Sequence, residues 1–348
     1  MRAIGSDRRL WPVLVLLGTI AGCSPTARAT VDRDSTAPAA HSSPAAPSRS
    51  AHVRTFDPDS KPPPVHSAAR ARHRPAHSRT VDPDSHPPAT HRVAGALPRP
   101  AHVLVVVMEN KRKSQVIGSA DAPYLNSLAR AGATFPDSHG IGHPSQPNYI
   151  ALLSGSTHGV TSDACPQDLG AKPNLARALL NARRSFASYS ESMPQQGFTG
   201  CSGTGGLYAR KHNPVTDFSN IPASSNRTYS QFPTNYGSLP TVSFLMPDLC
   251  HDMHDCSVAT GDAWARAHLS DYVRWAAGHN SLLIITFDED DWTDANTIPT
   301  IFVGPMVRPV VSGQRIDHYN VLRTLEDCYA LGRIGLTAGV APITGIWR

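Results

Sequence analysis

The chain has 348 residues, with 32 lysines and arginines against 27 aspartates and glutamates, which gives a formal net charge of +5. This length allows one large domain with appendages, or two small domains. Much of the positive excess comes from arginines in the first hundred residues. The charge therefore indicates a basic, solvated tail and argues against a nucleic-acid-binding surface.

The first 23 residues have the layout of an export signal. Three arginines precede an apolar run at residues 10–20, which is shorter than the about 20 residues that a membrane-spanning helix needs. The run is followed by Ala-Gly-Cys ending at Cys23, which resembles a bacterial lipobox, although an ordinary cleaved signal that contains a cysteine is the alternative. We predict a lipoprotein-type signal peptide at residues 1–23. The protein would then be exported and attached to a membrane by a lipid anchor at most.

Residues 24–98 have the composition of a disordered linker. They are rich in Pro, Ala, Ser, His and Arg and contain few large apolar side chains, so little burial could offset the entropy of ordering them. A short Thr-x-Asp-x-Asp-Ser unit begins at residue 30 and returns at residues 55 and 80, with a period of 25 residues. Because these units lack an apolar face to stack, they predict a duplicated spacer and not a solenoid.

From residue 101 onward, apolar strands alternate with amphipathic helices. Residues 102–108 form a continuous β-branched run, which is typical of a strand buried on both faces. Helices are predicted at about residues 122–131, 147–153, 175–184, 261–277 and 319–331, and further strands at 185–191, 241–246, 281–287 and 299–303. This alternation predicts one α/β domain over residues 99–348, with a mostly parallel central sheet and helices on both faces.

The cysteines are consistent with export. Disulfides persist outside the cytoplasm, and Cys250 with Cys256 would close a short loop, which leaves Cys165 with Cys201 as the expected second pair. Cys328 falls inside a predicted helix, where we expect a buried free thiol. The sequence alone leaves this connectivity open.

Two acidic groups follow predicted strands. Glu109 and Asn110 come directly after the first strand, and residues 288–291, which begin with Asp288 and Glu289, follow the strand at 281–287. Ligands gather beyond the carboxyl ends of parallel strands, and oxygen donors suit a hard cation such as Ca²⁺, Mg²⁺ or Mn²⁺. The alternative is that the run of four acids is a solvated loop.

A serine stands where a helix is predicted to begin. In His-Pro-Ser-Gln-Pro-Asn at residues 143–148, Pro147 fits the first helical turn and would place Ser145 at or just before the N-cap. Free backbone N–H groups at such a position suit a phosphoryl group. A metal ion would activate the hydroxyl as a nucleophile. Taken alone, the same pattern also fits a serine that only caps the helix.

Several segments together resemble one enzyme family. They are residues 108–110 (Met-Glu-Asn), 122–129 (Ala-Pro-Tyr-Leu-Asn-Ser-Leu-Ala), 143–149 (His-Pro-Ser-Gln-Pro-Asn-Tyr), 208–214 (Tyr-Ala-Arg-Lys-His-Asn-Pro), 247–255 (Pro-Asp-Leu-Cys-His-Asp-Met-His-Asp) and 286–289 (Thr-Phe-Asp-Glu). Over about residues 100–335 the chain resembles the bacterial phosphoesterase family of acid phosphatases and phospholipases C. The resemblance implies an alkaline-phosphatase-like three-layer sandwich.

The resemblance also implies roles for particular residues. Ser145 would be the nucleophile, and one divalent metal ion, with Ca²⁺ or Mg²⁺ favoured, would be held by Glu109, Asn110, Asp288 and Glu289. Since Asp248, His251, Asp252 and His254 depart from the spacing of two-metal relatives, one metal is expected. Catalytic histidines are predicted at His212, His251 and His254, and substrate-binding side chains at Asn148, Lys211 and Asp248.

The predicted function is therefore that of an exported acid phosphatase that hydrolyses monoesters through a phosphoserine. The absence of long insertions favours the short secreted acid phosphatases of the family, and a phosphoinositide headgroup is a candidate substrate. A phospholipase C-like diesterase is the alternative enzyme. A noncatalytic, lipid-anchored protein that binds a metal or a cell-wall polymer is the alternative from another class. We expect a monomer that contacts a membrane only through its lipid anchor.

Overall fold

The structure is a computed structural model that describes residues 97–348. The predicted signal peptide and nearly all of the predicted linker lie outside these residues, so both stay predictions. Among residues 97–348, none of the helices combines the length and the hydropathy that crossing a bilayer requires.

The described residues contain ten strands and six α-helices, together with short 3₁₀ turns. The strands are β1 (His102–Met108), β2 (Ala133–Thr134), β3 (Ser138–His139), β4 (Phe186–Ser190), β5 (Asn226–Thr228), β6 (Val242–Met246), β7 (Ser281–Phe287), β8 (Thr300–Val303), β9 (Val310–Val311) and β10 (Ile316–Asp317). The helices are α1 (Lys113–Val116), α2 (Pro123–Ala131), α3 (Ser145–Ser154), α4 (Leu175–Asn181), α5 (Val258–Ala276) and α6 (His318–Cys328).

Eight of these strands form one sheet, in the order β5-β4-β6-β1-β7-β8-β2-β9. The five strands from β5 to β7 run parallel, while β8 is antiparallel to both of its neighbours. Two short strands, β3 and β10, pair separately. Because β4, β6, β1 and β7 are adjacent and parallel, their carboxyl ends meet at one edge of the sheet.

The two faces of the sheet are covered by different helices. Along β1, Val103 and Val105 point into a core shared with α3, α4 and α6, whereas Leu104 and Val106 point into a core shared with α2 and α5. Successive side chains of a strand face opposite sides, so an unbroken apolar run is what a strand covered on both faces requires. This three-layer α/β arrangement confirms the predicted fold class.

Helix boundaries differ from the predictions where capping side chains define them. The helix predicted at 261–277 begins at Val258, because the Ser257 side chain accepts a hydrogen bond from the Thr260 amide. The helix predicted at 319–331 begins one residue earlier, after Asp317, whose side chain accepts from two amides, and it ends at Cys328. The short strands β2, β3, β5, β9 and β10 were not predicted, since two or three residues carry no periodicity.

The structure forms the two expected disulfides. Cys165 pairs with Cys201, and Cys250 pairs with Cys256. Cys328 is a buried free thiol within α6, as predicted. The sequence analysis had left this connectivity open.

Candidate active site

The two predicted acidic groups lie side by side at the carboxyl edge of the sheet. Met108 and Phe287, the last residues of β1 and β7, are partners in register, so Glu109 and Asp288 follow from adjacent strand ends. The Asn110 amide donates to Asp288 Oδ1 at 3.0 Å. The expectation that these side chains converge is therefore met by the geometry.

Ser145 lies between these carboxylates. Its side chain is buried, and its Oγ donates to Glu109 Oε2 at 3.0 Å and approaches Glu289 Oε1 at 3.4 Å. Ser145 is the first residue of α3, and Pro144 is the N-cap. The prediction that Ser145 stands at or before the cap was wrong by one position, because Pro144 keeps an extended backbone and helical geometry begins directly after it.

Asn148 and His143 hold the turn that carries Ser145. The Asn148 Oδ1 accepts from the amides of Ile141 and Gly142 at 2.7 and 3.1 Å, and its Nδ2 reaches Glu289 Oε2 at 3.3 Å. His143 Nδ1 lies 2.8 Å from the same Glu289 oxygen. The side chain of Asn148 is thus engaged within the protein, and its predicted role in substrate binding stays a prediction.

An exposed tryptophan covers His143. The two rings stack with centroids 4.0 Å apart, and Trp292 is 69% exposed. On the other side, His143 Nε2 lies 3.2 Å from Asp290 Oδ1. Burial lowers the pKa of His143, and the Asp290 charge opposes that shift.

His212 is buried between two carboxylates. Its Nδ1 lies 3.1 Å from Asp252 Oδ2, its Nε2 lies 3.1 Å from Glu109 Oε1, and its ring stacks on Tyr149. Burial, followed by the charges of Lys211 and His254, lowers the pKa of His212 well below its ordinary value. The ring thus bridges Asp252 and Glu109 with one nitrogen beside each carboxylate.

Lys211 and His254 stand beside His212 and are partly exposed. The Lys211 Nζ donates to Asp163 Oδ2 at 2.9 Å and lies 3.3 Å from His254 Nε2. The His254 amide donates to Asp252 Oδ1 at 2.7 Å. These contacts place an ammonium group and an imidazole next to the buried carboxylates.

We call Glu109, Asn110, Ser145, Asp288 and Glu289 the Ser145 cluster. Three of its oxygens (Glu109 Oε1, Asn110 Oδ1 and Asp288 Oδ2) are buried and accept no hydrogen bond from the residues that the structure describes. Burial, followed by the neighbouring Asp288 charge, raises the pKa of both Glu109 and Glu289.

Carboxylates in such a place repel one another unless a cation lies among them. Unpartnered carboxylate and amide oxygens are the donors that Ca²⁺ and Mg²⁺ prefer, so the predicted ligand set fits such an ion. A second donor group overlaps with the Ser145 cluster, since ligand atoms of Glu109, His212 and His254 lie within 4.8 Å of one another.

Two of the predicted site residues belong to a different group, which we call the His251 cluster (Glu191, Asp248 and His251). His251 Nδ1 lies 2.9 Å from Glu191 Oε2 and 3.1 Å from Asp248 Oδ1. Within residues 97–348, neither the His251 nor the Asp248 side chain hydrogen-bonds to a member of the Ser145 cluster. The catalytic role predicted for His251 and the substrate-binding role predicted for Asp248 stay predictions.

The sequence analysis did not single out Asp163 and Glu191. Asp163 contacts Lys211 and the amide of Gln146, and Glu191 completes the His251 cluster. Glu191 ends a predicted strand, which could have marked it. For Asp163 the only signal was its position two residues before the expected disulfide at Cys165.

A buried serine thus lies at a helix start, among carboxylates at the parallel edge of the sheet. A solved protein of the alkaline phosphatase superfamily from Vibrio parahaemolyticus has the same fold, with a TM-score of 0.50 and 12% identity over 71% of each chain. The chain belongs to the phosphoesterase family, whose profile matches residues 109–332. It is a hydrolase that acts on phosphoric ester bonds.

Curated relatives carry phosphatase names. The chain is 48% identical over 247 residues to a phosphatidylinositol-3-phosphatase of Mycobacterium tuberculosis, covering 70% of this chain and 82% of that protein. It is 30% identical over 228 residues to a phosphate-repressible acid phosphatase of Penicillium chrysogenum, covering 61% of this chain and 55% of that one. The chain therefore spans about half the length of the fungal relative. Both matches agree with substrates that are phosphorylated molecules.

Proposed function

We propose that this protein is an exported, cation-dependent phosphomonoesterase that forms a phosphoserine at Ser145. One observation carries the proposal. The buried Ser145 hydroxyl donates to Glu109 at 3.0 Å at the first turn of α3. Glu109 and Asp288 each have one buried oxygen without a hydrogen-bond partner among the described residues. A divalent cation held by Glu109, Asn110, Asp288 and Glu289 would neutralise these charges and polarise the phosphoryl group.

The residues around Ser145 supply the remaining parts of the reaction. As the Oγ–P bond forms, the Ser145 proton passes towards Glu109 Oε2, which already accepts it in the hydrogen bond. The P–O bond to the alcohol breaks, and His254, partly exposed beside Lys211, protonates the leaving oxygen. Water then attacks phosphorus as the Oγ–P bond breaks: a water proton passes to His254, the proton held by Glu109 returns to Ser145 Oγ, and phosphate is released.

Lys211 and the start of α3 form the phosphate-binding side of the site. Against the raising effect of burial, the positive charge of Lys211 lowers the pKa of both Glu109 and Glu289, so the same charge would attract a phosphate group bound beside them. The positive end of the α3 helix dipole adds to this attraction. Catalysis on this arrangement depends mainly on positioning and charge.

The relatives support a monoester, and one of them supports a lipid monoester. A phosphatidylinositol-3-phosphatase that is 48% identical over most of its length makes a phosphoinositide monophosphate the first lipid substrate to test. Export is supported by the two disulfides, since such bonds persist in oxidising compartments.

Hydrolysis of p-nitrophenyl phosphate by the full chain tests the proposal. We expect Ser145→Ala to lower kcat by about 10⁴-fold or more, as loss of a nucleophile does. Ser243→Ala is the matched control. It removes a buried hydroxyl which, unlike that of Ser145, has no hydrogen-bond partner among the described residues, and this variant should keep its activity. Chelation should abolish activity, and added Ca²⁺ or Mg²⁺ should restore it.

The choice of substrate then separates the competing functions. Turnover of phosphatidylinositol 3-phosphate in vesicles, together with p-nitrophenyl phosphate, supports a lipid monoesterase. Turnover of bis(p-nitrophenyl) phosphate alone supports the phospholipase C-like alternative. Full activity of Ser145→Ala would reject the phosphoserine mechanism.

A further inference from the structure

One carboxylate joins the peptide of the nucleophile to the lysine at the phosphate side. Asp163 Oδ1 accepts from the Gln146 amide at 2.9 Å, and Gln146 directly follows Ser145. Asp163 Oδ2 accepts from Lys211 Nζ at 2.9 Å. Asp163 is also near enough to Glu289 for its charge to affect that carboxyl group. A single side chain therefore fixes the positions of two elements of the site.

The fold holds Asp163 in place from the far side. Two residues later, Cys165 is bonded to Cys201, and the Cys201 carbonyl accepts from the Arg210 amide at 3.0 Å. The buried Arg210 guanidinium donates in turn to the Gln167 carbonyl at 2.7 Å. The loop that bears Asp163 and the turn that bears Lys211 are thus braced independently of the Asp163–Lys211 contact.

We propose that Asp163 is a positioning residue that aims the Lys211 ammonium at the phosphate of the substrate and holds the Ser145–Gln146 peptide beside it. It acts through other groups, because each of its oxygens already accepts from one of these two donors. This inference rests on the proposed function, in which Lys211 binds phosphate. It adds a residue that determines how tightly phosphate is bound.

Without Asp163, the flexible side chain of Lys211 has only His254 as a polar neighbour among its described contacts at Nζ. A lysine carries large rotamer entropy, so an unpaired ammonium samples positions away from the phosphate. The competing idea is that the Asp163 carboxylate excludes phosphate from the same donors. In that case, neutralising Asp163 would tighten phosphate binding.

The test compares Asp163→Asn, Lys211→Met and the double variant in the full chain. For Asp163→Asn we expect KM for p-nitrophenyl phosphate and the Kd of inorganic phosphate, measured by calorimetry, to rise about tenfold, the scale of one charge-assisted hydrogen bond. We expect kcat to change less than about threefold, since a group that acts by uniform binding affects mainly KM. Asp163→Glu, which keeps the charge, should recover most of the affinity.

The double variant separates positioning from a general structural role. The Asn side chain keeps an oxygen that accepts from the Gln146 amide, so Asp163→Asn tests the contact with Lys211. If Asp163 acts through Lys211, the double variant binds phosphate no more weakly than Lys211→Met alone. Additive losses would overturn the proposal, as would an unchanged or lowered Kd in Asp163→Asn. Asp168→Asn, an exposed aspartate on the same loop that accepts only from the Gly170 amide, is the matched control and should bind phosphate as the unaltered chain does.

Failure of this inference is distinguishable from failure of the proposed function. Phosphate binding requires no turnover, so a chain that binds phosphate in an Asp163-dependent way without hydrolysing monoesters would reject only the proposed function. A chain that hydrolyses monoesters with Asp163→Asn unaltered would reject only the role of Asp163.

Discussion

The Ser145 cluster and the His251 cluster are built from similar residue types at the same edge of one sheet. In the His251 cluster every carboxylate oxygen has a donor: Glu191 accepts from the Trp264 indole and the Asp248 amide, and Asp248 accepts from Ser192 and two backbone amides. In the Ser145 cluster, one oxygen each of Glu109 and Asp288 is buried without such a donor from residues 97–348.

This difference shows that the need of an acidic cluster for a cation depends more on its unpaired oxygens than on its number of charges. A carboxylate that accepts several N–H and O–H bonds is stable without an ion. A buried carboxylate oxygen without a donor costs free energy, which a bound cation recovers. The proposed cation therefore fits the Ser145 cluster better than the His251 cluster, although the ligand atoms of the His251 cluster also lie within 4.8 Å of one another.

The largest expected difference concerns the cation. Asp288→Asn should lower kcat for p-nitrophenyl phosphate by about 10³-fold, since a catalytic cation contributes several kcal/mol. It should also remove the rise in melting temperature that Ca²⁺ or Mg²⁺ produces in the unaltered chain.

Asp248→Asn is the counterpart in the His251 cluster. It should keep the cation-dependent rise in melting temperature and most of the activity. Calorimetric melting with and without the cation gives the first readout independently of turnover. A cation response that survives in Asp288→Asn and disappears in Asp248→Asn would reverse the assignment.

Smaller effects are expected from substitutions of His251 and His254, which are three positions apart in the chain. His254→Gln should lower kcat by about 10²-fold on an alkyl phosphate, the lower range for loss of a general acid. The loss should be smaller on p-nitrophenyl phosphate, because its leaving group needs no proton. His251→Gln should cost less than His254→Gln on both substrates, and equal losses would place His251 in the reaction after all.

The smallest effect concerns Asp217, a buried carboxylate that does have partners. Burial, against the opposing charge of Arg210, raises the pKa of Asp217 to about 6. Between about pH 4, the unfolded value, and that pKa, the folded chain binds more protons than the unfolded chain. Raising the pH through this window therefore lowers the free energy of unfolding.

Asp217→Asn lacks this titration. The free energy of unfolding of the unaltered chain, minus that of the variant, should fall by about 2 kcal/mol between pH 4 and pH 6.5. Urea unfolding at the two pH values measures the difference. A constant difference would mean that Asp217 does not change its protonation state in this range.

The sequence was most informative where a local pattern also determines where a side chain lies in the fold. Continuous apolar runs predicted β1 and β7, and because both strands end in acids, Glu109 and Asp288 could be placed together before the structure was known. The serine could be placed near a helix start because Pro147 constrains the first turn. These inferences depend on neighbours in the chain and on a general rule about parallel sheets.

The remaining site residues depend on contacts that no local pattern encodes. His251 and His254 lie on one irregular segment, where no periodicity tells which ring points to Ser145. Asp163 lies on a loop that is joined to Cys201, a pairing that the sequence left open. Side chains on loops are oriented by tertiary contacts, so residue type and spacing alone did not predict which of them lie near Ser145.

The two disulfides enclose loops of different length and therefore contribute differently to the stability of the fold. Cys165 and Cys201 are 36 residues apart, whereas Cys250 and Cys256 are separated by 6. The chain entropy that a crosslink removes from the unfolded state grows with the logarithm of the enclosed loop, so the shorter bridge contributes less to global stability. It encloses Asp252 and His254, and its consequence is preorganisation: fewer loop conformations compete with the one in which Asp252 contacts His212 and His254 lies beside Lys211.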